Sequence, residues 1–124
     1  MRSAVERAAA IVAAINERDT ERFLALVGDD AEVRTGRKVH SGADLIAKWA
    51  AKEYDHLVKR FAIDEYRAAG ETVLALGSVQ YVWAESGDVG DSSPIALTIE
   101  LAGERLRSLE VHDDTAVALA AFEA

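Results

Sequence analysis

Residues 72–84 read TVLALGSVQYVWA and keep a period of two over almost their whole length. That is the period of a β-strand, whose successive side chains leave the pleat on opposite sides. Here both sides are apolar. Leu74 and Leu76, followed by Ser78 and Gln80, lie on one; Val73, Ala75, Val79, Tyr81 and Trp83 lie on the other. A strand that is apolar on both faces needs a covering layer on each, so this run predicts a packed sheet inside a layered domain. The side of Leu74, Leu76, Ser78 and Gln80 is read as the inner one.

The flanks extend the sheet. Upstream, Leu57, Phe61 and Ile63 predict an adjoining strand that ends at Ala69-Gly70-Glu71. Downstream, residues 86–94 hold two glycines, three serines and the only proline, and predict a loop. Two further strands form a hairpin about Ala102-Gly103-Glu104. A three-residue loop with Gly103 at positive φ sets Leu101 opposite Arg105, Leu97 opposite Leu109 and Ile95 opposite Val111, so two apolar runs share a face. A last helical stretch, residues 115–122, is capped by Asp113 or Asp114.

Toward the N-terminus the period changes to that of helices. Ala4, Val5, Ala8, Ile11, Val12 and Ile15 form an apolar stripe that stops at Asn16. Asp19 caps a second helix with Phe23, Leu24 and Val27 inward, and Gly28 is read as its left-handed stop. Asp29-Asp30 then turns into a short strand bearing Ala31, Val33 and Thr35. Ser41 and Asp44 have capping-box spacing and open a third helix with Leu45, Ile46, Trp49 and Ala50 on one side.

Composition narrows the class. The chain has 124 residues, the size of one domain, and half of them are hydrophobic. It is read as a single α+β domain over residues 1–124, without repeat or linker. A net charge of −8 argues against nucleic acid or an anionic membrane as partner. The absence of cysteine rules out disulfides and thiolate chemistry. Arg2, Glu6 and Arg7 interrupt the first apolar stretch, so it reads neither as a signal peptide nor as a membrane span. A cytoplasmic setting is the resulting expectation.

Ala13-Ala14-Ile15-Asn16 through Asp19, Phe23-Leu24-Ala25-Leu26, Asp29-Asp30-Ala31-Glu32-Val33, Ser41-Gly42, the hairpin at Gly103 and Val111 to Asp114 follow a familiar order. Helix, helix, short strand, helix and four strands together resemble the nuclear transport factor 2-like superfamily, in its SnoaL-like and ketosteroid-isomerase-like branch. The resemblance spans essentially the whole chain. It implies a cone-shaped fold, with three helices of the N-terminal half packed in a curved antiparallel sheet and a short C-terminal helical segment. It also implies an open end that takes a small, usually apolar ligand. The fold alone leaves the chemistry open.

Ketosteroid isomerisation requires a carboxylate base, with a tyrosine and a protonated acid to hold the enolate oxygen. By position those roles fall on Thr35, on Ile11, and on Leu97 or Ala96. None of these side chains fills its role.

Under the inner-face reading, the pocket is lined by Thr35, Trp49, Leu76, Ser78, Gln80, Leu97 and Leu109, with Ser78 and Gln80 as its hydrogen-bonding members. The alternative for both is bonding to water or backbone at the strand's exposed end. Asp113, in phase with Leu109 and Val111, is the candidate general base at the mouth; otherwise it is a helix cap. Arg34, Arg37, Lys38 and His40 form a basic cluster that either guides an acidic ligand or is simply a solvated hairpin. His40, His56 and His112 have no metal-ligand spacing, and no metal or cofactor is expected.

Two functions of different class follow. One is a domain that binds a small apolar metabolite, with or without turnover. The other is a non-catalytic homodimerising module whose cavity is filled by its own side chains. In the dimer reading Val79, Tyr81 and Trp83 form a seam on the outer sheet face, unless residues 115–124 fold over that face instead.

Overall fold

The computed structural model describes residues 2–54 and 56–124. Helices α1 (Ala4–Asn16) and α2 (Thr20–Ala25) lead into strand β1 (Val27–Thr35), β2 (Lys38–Ser41) and helix α3 (Ala43–Ala51). Then come β3 (Glu53–Tyr54), β4 (Leu57–Ala69), β5 (Thr72–Trp83), β6 (Val89–Ala102), β7 (Arg105–His112) and α4 (Thr115–Glu123). The seven strands make one sheet in the order β2-β1-β7-β6-β5-β4-β3. This is the expected α+β architecture with one amendment. The sheet is mixed, because β7 returns beside β1 in the same direction and pairs with it in parallel.

Several boundaries differ from expectation for local reasons. Gly28 does not stop α2. It lies inside β1, where an added Cβ would stand 3.0 Å from the Leu106 carbonyl oxygen. Asp29 and Asp30 fall in a β-bulge between Val27 and Glu32. Gly42, at φ +87°, occupies the N-cap of α3 without a side-chain cap, so Ser41 does not play that part. Residues 89–94 continue β6 instead of looping out. Pro94 is tolerated there because it pairs only with Ser78 of β5, beyond the point where β7 stops.

The final hairpin turns more tightly than expected. Ala102 pairs with Arg105 and Leu101 with Leu106, and a bulge in β7 then shifts the ladder. Leu97 therefore faces Val111 and Ile99 faces Leu109. The apolar runs still share one face, since the bulge restores the parity that the tight turn removes.

Strand β5 is inverted relative to its expected phase. Val73, Ala75 and Val79 are buried in the main core, with Tyr81 packed against it. Leu74 and Leu76 turn outward, where Ala118, Leu119 and Phe122 of α4 cover them. Both leucine and valine faces are thus satisfied, but by layers opposite to those assigned from sequence.

The two layers are pinned by partly buried polar contacts. Asn16, at the end of α1, donates to the Phe61 carbonyl and accepts from the Phe61 N–H, each at 2.8 Å, which ties α1 to β4. Arg7 is 4% exposed and holds Glu71 through two hydrogen bonds of 2.8 and 2.9 Å, while also donating to the Gly103 carbonyl. Hydrogen bonding to Arg7 keeps the Glu71 carboxyl below its usual 4.5. A carboxyl lowered in the folded state contributes stability above its unfolded pKa and loses it as the pH falls through the folded value. Urea unfolding should therefore show wild type more stable than Glu71→Gln at pH 7, with the gap narrowing as the pH is taken down below 4.5. A gap that does not change with pH would assign the effect to packing instead of charge.

Candidate functional site

Between α3, the β1–β2 hairpin and the inner face of the sheet lies a cavity of about 500 Å³. Its apolar lining is Leu45 and Trp49 of α3, Phe61 of β4, Val79 of β5, Ile95 of β6 and Val111 of β7. The strand residues arrive there by alternation: Phe61 pairs with Val79, and Val111 lies opposite Leu97 on the core side of the hairpin. The Trp49 and Phe61 rings stand 6.3 Å apart at 30°, and the His40 ring stands 6.4 Å from Trp49. A flat apolar body fits such walls.

The charge around this lining is one-sided. Lys38, Lys48, Lys52 and Lys59 face the cavity, and among its described lining residues Asp113 is the one acid. Thr35, His40 and Tyr81 add hydrogen-bonding groups. Lys59 is the most buried of the lysines, at 6% exposure. Its Nζ donates to the Trp49 carbonyl at 2.9 Å and stands 3.8 Å from the centroid of the Trp49 ring. Burial pushes its pKa from 10.5 down to about 8, with the charges of Arg18 and Lys52 adding to the effect. Lys59 is therefore mostly charged at neutral pH, yet it can give up its proton within a mild range.

No protein-family model and no curated protein matches this sequence. Solved structures do. An NTF2-like protein of unknown function from Cytophaga hutchinsonii superimposes with a TM-score of 0.75 at 10% identity, covering 96% of each chain. A putative SnoaL-like polyketide cyclase from Shewanella denitrificans gives 0.73 at 14% identity, over 97% of this chain and 96% of the other. A protein with a ketosteroid isomerase-like fold from Catenulispora acidiphila, in complex with trimethylamine, gives 0.73 at 18% identity, over 93% and 90%. The chain has the nuclear transport factor 2-like fold.

Within this NTF2-like frame the residues singled out from sequence separate into three groups. Thr35, Trp49 and Asp113 line the cavity. Asp113 is free to do so because Asp114 takes the cap of α4, accepting from the Val117 N–H at 3.1 Å. Leu97 and Leu109 are fully buried in the core beneath it. Leu76, Ser78 and Gln80 lie on the opposite face of the sheet, and this corrects their placement in the pocket. Leu76 packs under α4, and Gln80 accepts a hydrogen bond from Arg60 at 3.0 Å.

The same inversion removes the expected dimer seam. Val79 and Tyr81 face the cavity, so neither is available on the outer sheet face. The basic hairpin divides too. Lys38 and His40 turn to the cavity, whereas Arg34 pairs with Glu32 at 3.3 Å. His112 bonds Thr98 on the outer face, 2.9 Å away. The described residues contain no cluster fit to hold a metal ion and no helix long and apolar enough to cross a membrane.

The residues missed from sequence are chiefly Lys48, Lys52, Lys59, Val79 and Tyr81. One signal was present. Lys59 shares the parity of Leu57, Phe61 and Ile63, which places a lysine on the apolar face of β4.

Proposed function

We propose that residues 1–124 form one ligand-binding domain, which encloses a small molecule with an apolar body. The observation that carries this reading is the cavity itself. Its volume of about 500 Å³ falls inside the span usual for ligand sites, roughly 300–1,000 Å³, and its walls combine aromatic rings with a few polar groups. The same volume counts against a module whose cavity is filled by its own side chains. Trp49 and Phe61 stand at the wall, leaving the space between them and the β1–β2 hairpin open.

Steroid isomerisation has no support here. Thr35 lines the cavity but cannot ionise, Ile11 and Leu97 are buried core residues, and Ala96 packs toward α4. Losing an oxyanion donor typically costs about 10²–10³ in rate. Any turnover would have to draw its proton chemistry from the other lining groups, such as His40, Lys59, Tyr81 and Asp113.

Binding can be read with 1-aminoanthracene, a neutral apolar fluorophore, in a Trp83→Phe background that leaves Trp49 as the single tryptophan. We expect saturable binding of one probe per chain, with loss of Trp49 emission as the probe fills the cavity. Non-saturable binding with unchanged Trp49 emission would overturn the reading.

A further inference from the structure

We propose that the occupant of this cavity is an organic anion: a flat apolar body ending in a carboxylate, seated with the carboxylate against Lys59. The inference rests on the cavity being a ligand site and adds the charge of the ligand. Its first support is the sign of the lining. The chain as a whole is at −8, yet among the described residues lining this concavity four lysines stand against the single acid Asp113. Such a field draws an anion inward through an otherwise repelling surface.

The second support is how differently the protein treats its two buried cations. Arg7 is met by the half-exposed Glu71 carboxylate and the Gly103 carbonyl, so its charge is neutralised by the chain itself. Lys59 is almost equally buried, but among the described residues it has only the Trp49 carbonyl and the faces of two aromatic rings. An ammonium has three donors, and one is used. A buried charge without a counter-ion is costly. A ligand carboxylate at the cavity wall would supply the missing acceptor, with a charge-assisted hydrogen bond.

Geometry selects the class of anion. A nucleic acid or a membrane surface cannot enter a space of this volume, and either would meet the acidic remainder of the chain. An amine is equally ill suited. A protonated amine would approach four lysines here. The Trp49 and Phe61 rings, 6.3 Å apart and at 30°, provide a surface for a planar body whose acid end reaches Lys59.

Three probes that share one ring system separate charge from shape: 2-naphthoate, 2-naphthalenemethanol and 2-naphthylmethylamine, titrated calorimetrically into the full chain at low salt. The carboxylate should bind about tenfold or more tightly than the alcohol, the usual scale for a hydrogen bond to a charged group, and the amine should bind most weakly. Lys59→Met should abolish the carboxylate's advantage while leaving the alcohol's affinity close to its original value. The wild-type comparison needs no variant and decides the matter even if Lys59→Met fails to fold. Equal affinity for acid and alcohol, or preference for the amine, overturns the anion inference while leaving the cavity as a ligand site. Binding of none of the three probes, nor of 1-aminoanthracene, overturns both.

Discussion

Gly77→Ala should lower the melting temperature by roughly 10 °C, equivalent to about 3 kcal/mol for a domain of this size. The cause is the approach of two backbones. A Cβ at Gly77 would stand 2.0 Å from the Ala62 carbonyl oxygen and 2.8 Å from Ile63 Cα. Neither atom is the tip of a flexible side chain, so β4 itself must move. The site lies next to the β4 bulge between Ile63 and Glu65, where the ladder to β5 skips a residue and the sheet bends. Beyond that bend β5 carries Val79 and Tyr81 to the cavity. Gly70→Ala is the control. Gly70 has φ +63° with nothing within 4 Å of a built Cβ, so that change carries only the cost of a left-handed backbone, about 1 kcal/mol. Thermal melts of the two variants should differ clearly, and equal losses would mean that crowding against β4 is not the reason for glycine at 77.

That glycine also shows what was legible in the sequence and what was not. The order of elements follows from periodicity and breakers, which are local properties, and the NTF2-like resemblance adds their sequence in space. The phase of β5 is not local. With Leu74 and Leu76 on one face and Val73, Ala75 and Val79 on the other, period two says that both are covered but not by which layer. The larger leucines went to α4, whose Ala118, Leu119 and Phe122 leave room for them. The smaller residues went to the crowded interior beside α1. Gly77 belongs to that interior set, and its missing side chain marks the face on which backbones come closest.

The cavity was harder to read than the fold because its charges have no common motif. Lys38 comes from β2, Lys48 and Lys52 from the α3 segment, and Lys59 from β4. Only the packing of α3 over the sheet brings them to one concavity. Thr35 and Trp49 were recoverable because each lies on the inward side of an element whose amphipathic phase was unambiguous. Ser78 and Gln80 were misplaced for one reason, the phase of a strand apolar on both sides.

Lys59→Met should stabilise the protein at neutral pH by about 2 kcal/mol. A lysine lowered from 10.5 to about 8 by burial opposes folding below the folded pKa, because the folded chain must hold a desolvated ammonium. The shift corresponds to about 3 kcal/mol, and losing the hydrogen bond to the Trp49 carbonyl returns about 1 kcal/mol of it. That carbonyl keeps a weaker partner in the Lys52 N–H at 3.4 Å, so it is not left wholly unsatisfied. The sign with pH follows from proton counting. Between about 8 and 10.5 the unfolded chain binds more protons than the folded one, so wild-type stability rises through that window. The variant has no such group, and its advantage should shrink as the pH is raised from 7 to 10. Chemical unfolding at the two pH values measures both effects. A variant less stable than wild type at pH 7, or an advantage unchanged at pH 10, would mean that the ammonium is better accommodated than its surroundings imply. Under the proposed anion site, stability given up at Lys59 would be the cost of a binding residue whose counter-ion comes with the ligand, since a fold that needed only a core would place an apolar side chain there.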